Sequence, residues 1–118
     1  MPHIIIECSE NIFPEKPDNV LLEAADALAK KGSFAPLAIK SRLHPVKYST
    51  LGTSFGDHAF VAAEIVLLEP KTSEEVDGIS ETIQNVLLAH FKDISVKTSV
   101  TTRVVTFKQD AYKKSNNF

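Results

Sequence analysis

The 118-residue sequence has no tryptophan, one cysteine, one methionine and four glycines, and none of its apolar runs is longer than a strand. With Cys8 alone, no intrachain disulfide can form, and no Cys/His cluster has the spacing of a zinc site. A reducing, cytoplasmic setting is therefore expected. The longest apolar stretches, Ala59 to Ala63 and Ile65 to Leu68, fall far short of the ~20 residues a membrane span needs, so no membrane partner is expected. The opening, Met1-Pro2-His3-Ile4-Ile5-Ile6-Glu7, has neither the basic stretch nor the long apolar stretch of a secretory signal. An excess of positive charge is also missing: 13 Lys+Arg face 15 Asp+Glu, a net charge of -2. Because the cations are scattered, nucleic acid is not expected as a partner. Glycine-rich phosphate loops, serine or cysteine hydrolase motifs and carboxylate-rich metal constellations are absent as well.

What is present suits one soluble domain, 43% apolar and 24% charged. A chain of this length buries roughly two thirds of its unfolded surface, enough for a core without staples. Ile4 to Cys8 reads as a buried strand. After the breaker cluster Pro14 to Pro17, Asp18 or Asn19 can cap a helix with Val20, Leu21, Ala24, Ala25 and Leu28 at helical spacing. Lys30-Lys31-Gly32 closes it, the glycine suiting a left-handed residue beyond the last turn. Leu37 to Val46 alternates as a strand, Ile39, Ser41 and Leu43 on one face and Lys40, Arg42 and His44 on the other.

The second half repeats this order. Asp57 to Glu69 is a long apolar strand, stopped by Pro70, and Thr72 with Glu75 forms a capping box for a second helix. Val76, Ile79, Ile83, Val86 and His90, widened by Leu87 and Phe91, form its apolar stripe. Ser95 to Val105 alternates as the last strand. The chain thus divides into a βαβ unit over 1–46, a connecting loop or short hairpin over 47–57, a second βαβ unit over 58–107 and a polar arm over 108–118, in a single domain. The predicted fold is α+β, a four-stranded sheet with two helices on one face. The opposite face is left bare and carries apolar residues, which points to an oligomer of unspecified number.

Pro2 is the first candidate for chemistry. Removal of Met1 would leave it a free secondary amine, and an α-amino group with an ordinary pKa near ~7.7 to 8.0 is neutralised further by burial. A neutral amine is a general base. The bland alternative is a proline that merely starts a strand, where a missing N–H costs nothing. Lys40 and Arg42 project from one face about 7 Å apart, with His44 continuing the row. They suit a carboxylate, Arg by a bidentate fork and Lys by a point charge; equally, they suit a solvated face or acids of a neighbouring subunit. Cys8, His44, His58, His90 and Phe91 need only packing, hydrogen-bonding or helix-end roles, whereas Glu7 and Glu64 belong either to a polar face or to a buried network.

Pro2-His3-Ile4-Ile5-Ile6-Glu7-Cys8-Ser9-Glu10-Asn11-Ile12 resembles the opening of the 5-carboxymethyl-2-hydroxymuconate delta-isomerase family of the tautomerase superfamily. Phe34 to His44 resembles that family's second-strand motif, and Asp57-His58-Ala59-Phe60-Val61 its third-strand opening, so the likeness covers nearly the whole chain. The resemblance implies a homotrimer with its bare sheet faces inward and Pro2 as the catalytic base. It further implies proton transfer from an enol hydroxyl to carbon in a small anionic unsaturated 2-oxo acid or diacid, without cofactor or metal. Lys40, Arg42 and Lys71 are the implied substrate cations and Phe60 a pocket residue. The family pattern has arginine where this chain has Lys40, and Lys71 also stands for an arginine. Those exchanges keep charge but lose the bidentate fork, which leaves a phenylpyruvate-type tautomerase or a non-catalytic trimeric binding protein as alternatives.

Overall fold

The computed structural model describes residues 1–32, 34–53 and 57–118. The first β-branched run forms strand β1 (His3–Ser9), in which Ile4, Ile6 and Cys8 are fully buried while His3, Ile5 and Glu7 face the other way. Helix α1 (Pro17–Lys31) leads to β2 (Lys40–Val46); β3 (His58–Leu68), α2 (Ser73–Phe91) and β4 (Lys97–Phe107) follow. Among the described residues these strands form one sheet in the order β2-β1-β3-β4. Both outer pairs are parallel and the central β1–β3 pair is antiparallel, so two βαβ units join through their first strands.

Both helices cover the same face. Ile4, Ile6 and Cys8 from β1 and Val61, Ala63, Ile65 and Leu67 from β3 meet two helical stripes. Val20, Ala24 and Leu28 recur every fourth residue on α1, and Ile79, Ile83, Leu87 and Phe91 do so on α2. The predicted capping box of α2 is present, with Thr72 Oγ1 accepting from the Glu75 amide at 3.1 Å and Glu75 Oε1 accepting from the Thr72 amide at 3.3 Å.

Several local expectations are corrected. Lys16 precedes α1 without a side-chain cap, and Pro17 opens the helix, its fixed φ and missing N–H suiting the first turn; neither Asp18 nor Asn19 is the cap. Gly32 is extended (φ -109, ψ -170) rather than left-handed. Glycine is needed there for space, because a Cβ would stand 2.6 Å from Phe34 Cε2. Pro36–Ala38 is a 3-10 turn, so β2 starts at Lys40 instead of Leu37, and Leu37 is exposed. His90 lies at the edge of the α2 stripe, donating from Nε2 to Glu23 Oε2 at 2.7 Å and tying the two helices together. The connection at 47–57 contains a turn at Gly52 (φ +63), where glycine avoids Cβ strain; positions 54–56 of it, and 33 after α1, lie outside the described residues.

The other sheet face has no helix over it among the described residues. Strand register puts His3, Ile5 and Glu7 there beside Lys40, Arg42 and His44, and beside Val66, Glu64 and Ala62. From β4 it adds Thr101, Arg103 and Val105.

The β1–β3 ladder ends at Cys8 and Val61, and Ser9 extends it by one step. Its hydroxyl accepts from the Phe60 amide at 2.7 Å and donates to the Phe60 carbonyl at 3.3 Å, with Ser9 only 3% exposed. Ser9→Ala leaves that part-buried amide without its partner. Urea denaturation should show the variant less stable by about 1–3 kcal/mol with an unchanged m-value.

Candidate active site

The start of β1 is pinned by its neighbour. Pro2 is fully buried, and its carbonyl accepts a hydrogen bond from the Lys40 amide at 3.1 Å. That bond sets the parallel register, with Lys40 opposite His3 and Arg42 opposite Ile5. Paired residues share a face, so both cations stand on the bare side of the sheet at the end where the chain begins. Lys40 Nζ donates to the Ala38 carbonyl at 3.3 Å, curling back along the 3-10 turn. His44 continues the row opposite Glu7, and both are exposed.

Arg42 Nη1 donates to His3 Nδ1 at 3.1 Å. A guanidinium can only donate, so this imidazole is the neutral tautomer with its proton on Nε2. That nitrogen stands 3.5 Å from the Tyr112 hydroxyl. Tyr112 meets His3 edge-on at 6.3 Å between ring centroids and lies against Phe107 at 5.8 Å. The polar tail is therefore tied back to the amino terminus. Sequence pattern alone does not mark His3 or Tyr112 as site residues. His3 shares the parity of Lys40 once the strands are paired, whereas nothing local marks Tyr112.

The electrostatics at this end are one-sided. Among the described residues no carboxylate forms an ion pair with Lys40 or Arg42, while Arg103 is bound to Glu64, with Nε donating to Oε2 at 2.9 Å. The amino group carried by Met1 is held below its ordinary pKa, first by partial burial and then by Lys40 and Lys114. His3 is likewise lowered, by burial first and then by Arg42, Lys40 and the amino terminus. The arrangement favours neutral bases beside uncompensated cations, a combination that attracts an anion without protonating the groups that handle it.

Other candidates lie elsewhere in the chain. Lys71 Nζ sits 5.3 Å from the centroid of Phe34, bordering a cavity of about 330 Å³ lined also by Lys31, Thr72, Glu74, Glu75 and Ile79. Phe60 is bonded to Ser9, at the opposite end of β1 from Pro2 and about 20 Å away by strand rise. One chain thus brings Pro2, Lys40 and Arg42 to one end of the sheet and leaves Phe60 at the other; the β1–β3 register puts Lys71, three residues past the end of β3, at the Pro2 end as well, against Phe34. Cys8 is buried, and burial pushes its thiol up to about 11, as suits packing rather than nucleophilic chemistry. His58 is buried beside Ser49 and Asn11 at the far end. A shallow cavity of about 340 Å³ on the bare face is lined by Ile5, Glu7, Ala62, Glu64, Thr101 and Arg103.

Residues 2–118 match the family model described as 5-carboxymethyl-2-hydroxymuconate isomerase. A solved 5-carboxymethyl-2-hydroxymuconate isomerase from Deinococcus radiodurans R1 superposes with a TM-score of 0.83 at 21% identity, covering 98% of this chain and 90% of that one. A 5-carboxymethyl-2-hydroxymuconate delta-isomerase superposes at 0.84 with 16% identity, covering 99% and 89%. A fused 4-OT symmetric trimer superposes at 0.75 with 12% identity, covering 96% and 93%. No curated protein matches the sequence directly. At these identities the neighbours establish the fold, and the family follows from the match over residues 2–118: this chain belongs to the 5-carboxymethyl-2-hydroxymuconate isomerases, enzymes of the tautomerase superfamily.

Proposed function

We propose that the enzyme moves a proton between the enol oxygen and a carbon of a small unsaturated 2-oxo acid or diacid, with Pro2 as general base once Met1 has been removed. The observation that carries this reading is the position of the chain start: it is held against Lys40 by a backbone hydrogen bond, in surroundings that lower the pKa of an amine. A neutral proline nitrogen accepts the enol hydroxyl proton, the electron pair spreads over the conjugated system as a dienolate, and the same nitrogen returns the proton to carbon as the double bond shifts. Atoms balance without cofactor or metal. Lys40 and Arg42 hold the carboxylate and the 2-oxo oxygen, where negative charge grows on the way to the dienolate.

One chain offers two cations on an open sheet face beside a buried chain start, with no closed pocket around them, which supports a site completed by assembly. We assign the bare face to the inside of a homotrimer. Phe60 then belongs to the remote end of the substrate, contributed across a subunit boundary, while Lys71, at the Pro2 end of its own chain, is the third cation for the substrate. A neighbour of the same fold is described as a symmetric trimer, in keeping with this arrangement.

Intact mass of cell-made protein should show Met1 absent; a retained methionine turns the Pro2 nitrogen into an amide and overturns the mechanism. In an ultraviolet assay with 2-hydroxymuconate and enol phenylpyruvate, Pro2→Ala should lower kcat about tenfold or more. Arg42→Ala should lose less at saturating substrate, its effect falling on KM. Equal rates for wild type and Pro2→Ala refute Pro2 as the base, and the preferred of the two substrates identifies the class.

Because the amine acts only when neutral, and the burial and Lys40 charge that lower the Met1 amine act also on a Pro2 terminus one residue on, kcat/KM should rise with pH through a pKa below the usual α-amino range and level off above it. A limb centred above that range would place the base elsewhere.

A further inference from the structure

Resting on Arg42 as a substrate cation, we propose that His3 is a positioning residue: its neutral imidazole aims the Arg42 guanidinium through Nδ1 and is itself held by Tyr112 of the C-terminal arm. The contacts are the 3.1 Å bond from Arg42 Nη1 to His3 Nδ1 and the 3.5 Å approach of the Tyr112 hydroxyl to Nε2, with the two rings edge-on at 6.3 Å. A long arginine on an edge strand samples many rotamers, and ordering it on binding costs side-chain entropy. An acceptor that preorganises the fork removes part of that cost. The choice of acceptor decides the rest. A carboxylate would orient the guanidinium too, as Glu64 does for Arg103, but it would cancel the charge an anionic substrate needs. A neutral imidazole orients without neutralising.

The groups facing His3 agree with this role. From β2 come Lys40 and Arg42, from the chain start the Met1 amine, and from the arm Tyr112. From β3, Val66 lies directly opposite, and Glu64, farther along the same face, is engaged by Arg103 of β4. Nothing among these stabilises an imidazolium, and burial and the cations hold His3 below its ordinary pKa. Neutral His3 is thus the state above that lowered pKa. As pH falls through it, Nδ1 gains a proton, stops accepting from Arg42 and repels it, so substrate binding weakens on the acid side.

The test compares His3→Leu, which removes the acceptor, with His3→Asn, whose Oδ1 stands as many bonds from the backbone as Nδ1. With 2-hydroxymuconate as probe, His3→Leu should raise KM about 5- to 10-fold while kcat changes less than about twofold. His3→Asn should recover most of the binding and lose the rise of KM at acid pH. Adding His3→Leu to Arg42→Gln should raise KM no further, because the two act as one unit. Calorimetric binding of adipate, a dicarboxylate with no enol proton, gives a readout independent of catalysis. If Pro2→Ala keeps full activity while His3→Leu weakens adipate binding, the base assignment fails and the positioning role stands. If His3→Leu leaves KM and adipate affinity unchanged, or adds fully to Arg42→Gln, the positioning role is overturned. It is overturned equally if His3→Asn keeps the acid-side rise in KM.

Discussion

The hydrogen bond from the Lys40 amide to the Pro2 carbonyl is the constraint on which the candidate site depends. A parallel pair of strands can start in many registers, and this bond selects the one that seats the chain start level with Lys40 and one alternation before Arg42. A slip of one residue would turn Lys40 and Arg42 into the helix-covered core, where two unpaired cations have no tolerable place. Burial of Ile4, Ile6 and Cys8 on one face and the gathering of charge on the other are thus two results of the same alignment.

That alignment also divides the bare face electrically. In its middle, Glu64 and Arg103 satisfy each other across β3 and β4, whereas at the β2 edge Lys40 and Arg42 meet a carbonyl and a neutral imidazole. A net charge of -2 therefore says little about the potential an approaching anion meets. What matters is that, among the described residues, no carboxylate is paired with Lys40 or Arg42.

Most of the architecture was legible because it rests on short-range chemistry. The Thr72–Glu75 box, the every-fourth-residue stripe of α1 and the alternation through Lys40, Arg42 and His44 are each complete within a few residues, and each is present in the structure. The failures share the opposite property. Gly32 is required by the Phe34 ring rather than by its own φ, and β2 gives its first positions to a turn because Pro36 favours a 3-10 start over a ladder that lacks its N–H. His90 fits the apolar stripe by spacing but pairs with Glu23, 67 positions away. Pro2, Lys40 and Arg42 could be grouped from strand order alone. The Tyr112 contact to His3 spans 109 positions and leaves no local trace in a polar tail.

The central antiparallel junction makes the two halves resemble each other after a half-turn, and the likeness extends to side chains: His3 sits across from Lys40 at one rim, and His58 across from Lys97 at the other. The resemblance is partial. Two residues past Lys97 stands Ser99 where Arg42 follows Lys40, His58 is buried, and the backbone nitrogen ahead of it is locked in mid-chain amide resonance. A fold assembled from two equivalent pieces thus has two distinguishable poles, only one of which gathers a cation pair.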